Sequence, residues 1–153
     1  MTCRDVDRRR GGVEAWQGGN VYEVIEAVPD VDEFCDLRVA AGLSAMDRSA
    51  AATALPRTLH AVTIRVGGRL VAMGRVVGDG LHVQVTDIAV HPDHQKRGLS
   101  RTVMASIMDY VHSLPSSTIV TLFADVDWLY DKFGFAVPRS STGMMLRRDP
   151  PAR

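Results

Sequence analysis

The chain has 153 residues and no net formal charge, with 46% hydrophobic and 24% charged residues. That length supports one domain with its own core. The neutral balance argues against nucleic acid as a partner, because a phosphate-backbone binder carries a basic excess. No run approaches the ~20 apolar residues of a membrane span, and Arg8-Arg9-Arg10-Gly11-Gly12 is not followed by the apolar run of a secretory signal. Cys3 and Cys35 lack both the density of a disulfide scaffold and the spacing of a zinc site, so no metal is expected. A reducing, cytoplasmic setting follows.

Residues 1–20 carry arginines, aspartates and four glycines without periodicity and read as a flexible tail. The domain proper is expected over residues 21–148, with a short tail at 149–153. Residues 21–28 (VYEVIEAV) alternate like a strand and stop at Pro29. Residues 31–41 have helical spacing and end at Gly42. A second short helix is expected over 48–55, before Pro56. Strands follow at 60–66, 69–77 and 81–90, separated by Gly67-Gly68 and Gly78-Asp79-Gly80. A long amphipathic helix spans 99–112, with Val103, Met104, Ile107, Met108 and Val111 on one face. Residues 117–124 (STIVTLFA) read as a buried strand, 125–133 as a short helix, and 135–137 and 143–147 as a last pair of strands. The order describes an α/β chain: a mixed sheet with helices on both faces. The helical crossover at 99–112 should make two neighbouring strands parallel.

One segment carries chemistry: Asp87-Ile88-Ala89-Val90-His91-Pro92-Asp93-His94-Gln95-Lys96-Arg97-Gly98-Leu99-Ser100. An apolar strand enters a polar turn that opens directly into a helix. Amides at a helix N-terminus lack internal partners and suit a pyrophosphate. Gly98 allows close approach to the backbone, and Lys96 and Arg97 add positive charge. The loop is neither a P-loop nor a dinucleotide fingerprint.

The segment resembles the acetyl-coenzyme A signature of the GNAT acetyltransferase superfamily, an apolar strand followed by [QR]-x-x-G-x-[GA] at a helix start. Leu129-Tyr130-Asp131-Lys132-Phe133-Gly134-Phe135, about 30 residues further on, resembles the family's Y-x-[KR]-x-G-F segment. The resemblance covers roughly residues 21–148. Ser100 stands where the family usually has glycine or alanine. The resemblance implies a GNAT-like fold with a largely antiparallel mixed sheet and a splayed parallel strand pair. It implies transfer of an acetyl group from acetyl-coenzyme A (acetyl-CoA) to a primary amine by direct attack. Ile88, Ala89 and Val90 would pair with the pantetheine arm. Gln95, Lys96, Arg97, Gly98, Leu99, Ser100 and Arg101 would surround the pyrophosphate. Tyr130 matches the residue that protonates the departing thiolate.

Asp87 is a candidate base for the incoming amine, or else a structural acceptor, because a carboxylate in an apolar strand needs partners. Strand alternation places Gln84 and Thr86 on one face and Val85 and Asp87 on the other, unless a bulge intervenes. Gln84 and Thr86 could then shape the acceptor pocket. By the same resemblance Leu43, Met46 and Trp128 are candidate substrate contacts. His91 and His94 read as turn residues. The acceptor is expected to be a small-molecule amine. Peptide or protein acetylation is the alternative, followed by a non-catalytic acyl-CoA sensor that would not need Tyr130. A homodimer is compatible with the family, where C-terminal strand exchange is common.

Overall fold

The structure, a computed structural model, describes residues 13–17 and 20–146. It contains two compact units, Met1–Phe123 and Ala124–Arg153. Strands β1 (Val13–Gln17), β2 (Asn20–Ile25), β3 (His60–Val66), β4 (Arg69–Gly78), β5 (His82–Val90) and β6 (Ile119–Thr121) form one sheet in sequence order. β1 to β5 are antiparallel to their neighbours, and β6 is parallel to β5. Helix α1 (Val31–Ala40), helix α2 (Arg48–Ala54) and a 3-10 turn at Leu55–Arg57 lie between β2 and β3. Helix α3 (Leu99–Ser113) makes the crossover from β5 to β6. Gly67 and Gly68, at φ 54° and 80°, close the β3–β4 hairpin with the left-handed pair that a two-residue turn needs.

The helices cover opposite faces of the sheet. Phe34, Cys35 and Leu37 of α1 pack with Leu55, Leu70, Met73 and Ala89. Leu99, Val103, Met104 and Ile107 of α3 are buried, and this helix packs on β3, β4 and β5. Met104, on the apolar face of the 99–112 helix, is a core residue, and so is Met73.

Several boundaries differ from the sequence reading. Val13–Gln17 is a strand paired with β2, although residues 1–20 read as tail; residues 1–12 lie outside the described residues. The Gly18-Gly19 pair between two alternating segments is a hairpin signal that composition alone obscured. The stretch read as a buried strand at 117–124 pairs only over Ile119–Thr121, and Ile119 is half exposed. The second unit holds α4 (Asp127–Tyr130) and a 3-10 turn (Asp131–Phe133), ended by Gly134 at φ 84°. The strands expected at 135–137 and 143–147 do not form among the described residues. Their residues have the pattern of a strand, but a strand persists only through a ladder partner, and Val137, Met144 and Leu146 remain exposed.

The departure from regularity that matters most lies in the middle of β5. Met73 pairs with Ala89 and Arg75 with Thr86, so two steps along β4 match three along β5. This is a β-bulge, and Asp87 within it takes a φ of 56°. Opposite it stands Gly74. A Cβ there would lie 2.5 Å from Val103 Cγ1, 2.6 Å from Ile88 Cδ1 and 2.8 Å from Ile107 Cδ1. Ile88 therefore turns toward α3 and fills the space that Gly74 leaves. Thr86, opposite Arg75, and Asp87 both turn toward α1. This corrects the simple alternation, which separated Thr86 from Asp87. Gly74→Ala should lower stability by about 1–3 kcal/mol through overpacking, read as a lower midpoint in urea unfolding. An unchanged midpoint would mean the Gly74 contact with α3 is not tight.

Candidate functional site

Asp87 is buried together with two arginines. Its Oδ1 accepts from Nη1 of Arg38 on α1, and its Oδ2 accepts from Nε of Arg75 on β4. Arg38 Nε also donates to the Ser44 carbonyl at 3.0 Å, and Arg75 Nη1 donates to Thr58 Oγ1 at 3.2 Å. Phe34 lies beneath both guanidiniums, with centroid distances of 5.7 Å to Arg38 and 5.2 Å to Arg75. Burial works against the charge of each guanidinium, and for Arg75 the neighbouring Arg38 adds to that effect. Asp87 offsets both. Each of its oxygens thus accepts from a guanidinium, which is the structural-acceptor alternative for Asp87.

The far edge of β5 is open. β6 pairs only with His82, Val83 and Gln84, so Ile88, Ala89 and Val90 have no strand beside them on that side among the described residues. Beyond Val90 the chain enters the loop before α3. His91 N donates to the Val71 carbonyl at 2.8 Å, and Gln95 Nε2 donates to the Val90 carbonyl at 3.2 Å. Buried Tyr22 on β2 places its hydroxyl 3.1 Å from His94 Nδ1. Burial, and then the neighbouring His91, push the His94 imidazole below its ordinary value. His94 is thus a turn residue, as read, whose ring also supports the loop through Tyr22. Gly98, at φ 75°, is the N-cap of α3, and open space surrounds the position of its missing Cβ. Lys96 and Arg101 are exposed, Arg97 and Ser100 half-buried, and Leu99 is anchored in the core. Arg101 N already donates to the Gly98 carbonyl at 3.1 Å, whereas the amides of Leu99 and Ser100, at the start of α3, have no carbonyl one turn back within the helix. The positive end of the helix dipole lies at these residues.

On the opposite face, a cleft of about 640 Å³ lies between α2 and β4. Ser49, Thr53, Arg57, Arg75 and Val77 line it. Gln84 pairs with Val77 and Thr86 with Arg75, so both stand on the strand beside the cleft. Leu43 packs against the α1–β4 core instead, and Met46 is exposed without lining the cleft. Sequence reasoning missed Arg38, Arg57 and Arg75. The signal available for two of them was an arginine inside an apolar stretch, in FCDLRVA and LVAMGRVV, each in need of a carboxylate.

Within the second unit, Tyr130 ends α4 and is half-buried. Burial and then Asp125 raise the phenol above its ordinary value, so it keeps its proton at neutral pH. Trp128 is exposed, with Lys132 Nζ 5.7 Å from its ring centroid.

A mixed sheet with a bulged, half-open strand running into an N-terminal helix corner defines an acyltransferase fold. A model of the acetyltransferase (GNAT) family matches residues 25–135, and the chain belongs to this family. A probable acetyltransferase of unknown function from meticillin-resistant Staphylococcus aureus is 38% identical, with a TM-score of 0.77 over 83% of this chain and 99% of that one. The ribosomal-protein-S18-alanine N-acetyltransferase of Escherichia coli shares the fold at 17% identity, with a TM-score of 0.63 over 76% of this chain and 79% of that one. An uncharacterized N-acetyltransferase, ycf52, of Porphyra purpurea is 39% identical over 70 residues, 44% of this chain and 40% of its own length. The matched stretch thus spans less than half of that curated relative. No helix among the described residues is long and apolar enough to cross a membrane, and no group of three or more His, Cys, Asp or Glu could hold a metal ion.

Asp87→Asn isolates the structural role of the carboxylate. Asparagine tolerates a positive φ, but the substitution leaves two buried guanidiniums without a countercharge. Stability should fall by about 3–5 kcal/mol, measured by chemical unfolding. Wild-type stability with slowed turnover would instead restore the base role.

Proposed function

We propose that the chain transfers an acetyl group from acetyl-CoA to a small primary amine. The observation that carries this reading is the continuous path from the open edge of β5 to the α3 N-terminus. Main-chain groups of Ile88, Ala89 and Val90 would pair with the pantetheine arm as an added strand does. Amides of residues 95–100 would hold the pyrophosphate, helped by Lys96, Arg97 and Arg101. The bulge supports this by setting the direction of the edge just where the thioester would lie, so that an amide near Ile88 can polarise its carbonyl.

The amine nitrogen attacks the thioester carbonyl carbon, the C–S bond breaks, and the amine's surplus proton passes to water. Tyr130 donates its phenolic proton to the departing thiolate and regains one from solvent. The support for this part is the match of Tyr130 to the family's tyrosine position in the segment 129–135. Gln84 and Thr86 shape the acceptor side. Asp87 takes the structural role. The buried, unpaired thiol of Cys35 is in keeping with a reducing cytoplasm.

Two variants test the two halves of this reading. Gly98→Glu places bulk and negative charge where phosphates must sit, and it should abolish acetyl-CoA binding in titration calorimetry. Tyr130→Phe should preserve binding and lower kcat by about 10²–10⁴-fold. Wild-type affinity in the first variant would remove the loop as the coenzyme site. Wild-type turnover in the second would transfer the acid role to water.

A further inference from the structure

The cleft between α2 and β4 has an unexpected charge for a pocket that receives an amine. A primary amine is mostly cationic at neutral pH, and a pocket for a simple ammonium would present carboxylates. This one presents two guanidiniums, Arg57 and Arg75, together with the hydroxyl-bearing Ser49 and Thr53. The nearby acids are engaged elsewhere. Asp87 is shared between Arg38 and Arg75, which leaves that buried group with one surplus positive charge. Asp32 and Asp36 pair with Arg48, and Glu33 pairs with Arg65. Asp47 accepts from Ala50 N and Ser49 Oγ at the start of α2. Arg57 is exposed at the end of the 3-10 turn.

Building on the acetyltransferase reading, we infer that the acceptor is an amine that carries its own carboxylate, of the amino-acid type, anchored by Arg57 and Arg75. The placement is suitable on two counts. Arg75 is the strand partner of Thr86, so an anion held there lies one strand away from the bulge and the open β5 edge. A guanidinium also matches a carboxylate in geometry as well as charge. The same positive surroundings favour the neutral form of the incoming nitrogen. The cleft thereby eases deprotonation of the incoming amine. A carboxylate-free amine would meet the positive charge with nothing to balance it.

The test compares amino acids with their carboxamides as acceptors, following thiol release from acetyl-CoA. The acids should exceed the amides by at least about tenfold in kcat/KM. Arg57→Glu, at an exposed position that leaves the core intact, should lower kcat/KM for the acids by about tenfold more than for the amides. Equal rates for acids and amides, or a preference for amides, would overturn the inference. A binding arm decides the matter without turnover. Calorimetry in the presence of coenzyme A should show N-acetyl amino acids binding more tightly than their amides, and Arg57→Glu should erase the difference. Equal binding in the wild type would again overturn it. Failure to bind acetyl-CoA at all, measured alone in the same instrument, would instead be a failure of the acetyltransferase reading.

Discussion

The structure depends on one buried carboxylate. Asp87 sits in the middle of the sheet with a backbone conformation that costs a non-glycine residue about 1–2 kcal/mol, and with a charge whose isolated burial would cost several kcal/mol more. It persists because Arg38 and Arg75 reach it from two different elements. Phe34 supports both guanidiniums from below. The cluster ties α1, β4 and β5 together at the place where the ladder is interrupted. Local backbone strain at a bulge is sustained in this way only when the surroundings over-determine it.

The bulge gives the two faces of the sheet different tasks. Toward α3 it sends Ile88 into the gap over Gly74, so the hydrophobic core stays dense. Toward α1 it brings Thr86 and Asp87 to the same side as Arg75, next to the cleft. Along its free edge the strand runs on into the loop that Tyr22, Val71 and Val90 hold in place. The open β5 edge, the proposed coenzyme path, and the cleft beside β4 are therefore set from one strand. A change in the Asp87 cluster would disturb both through geometry.

Much of this was legible in the sequence. The meander of three strands, the amphipathic helix and the Gly98 corner follow from turn glycines and helical spacing, which are local signals. What was not legible depends on partners distant in the chain. The alternation Val83, Val85, Asp87, Ala89 suggested a regular strand, because no residue in β5 announces an inserted position. The role of Asp87 required knowing that Arg38, 49 residues earlier, lies against it. The strand Val13–Gln17 was hidden by the charged stretch before it, and the expected strands after Phe135 had pattern without partners. Arg57 carries no local signal and is joined to Arg75 only by the cleft.

The claim on which the account rests is that the β5 edge and the α3 N-terminus act together as one coenzyme site. Backbone amide NMR of the full chain during titration with acetyl-CoA tests it most directly. The account predicts that the largest saturable shifts fall on Ile88, Ala89 and Val90 together with residues 95–100. Shifts that saturate elsewhere while both of these segments stay unmoved would contradict it.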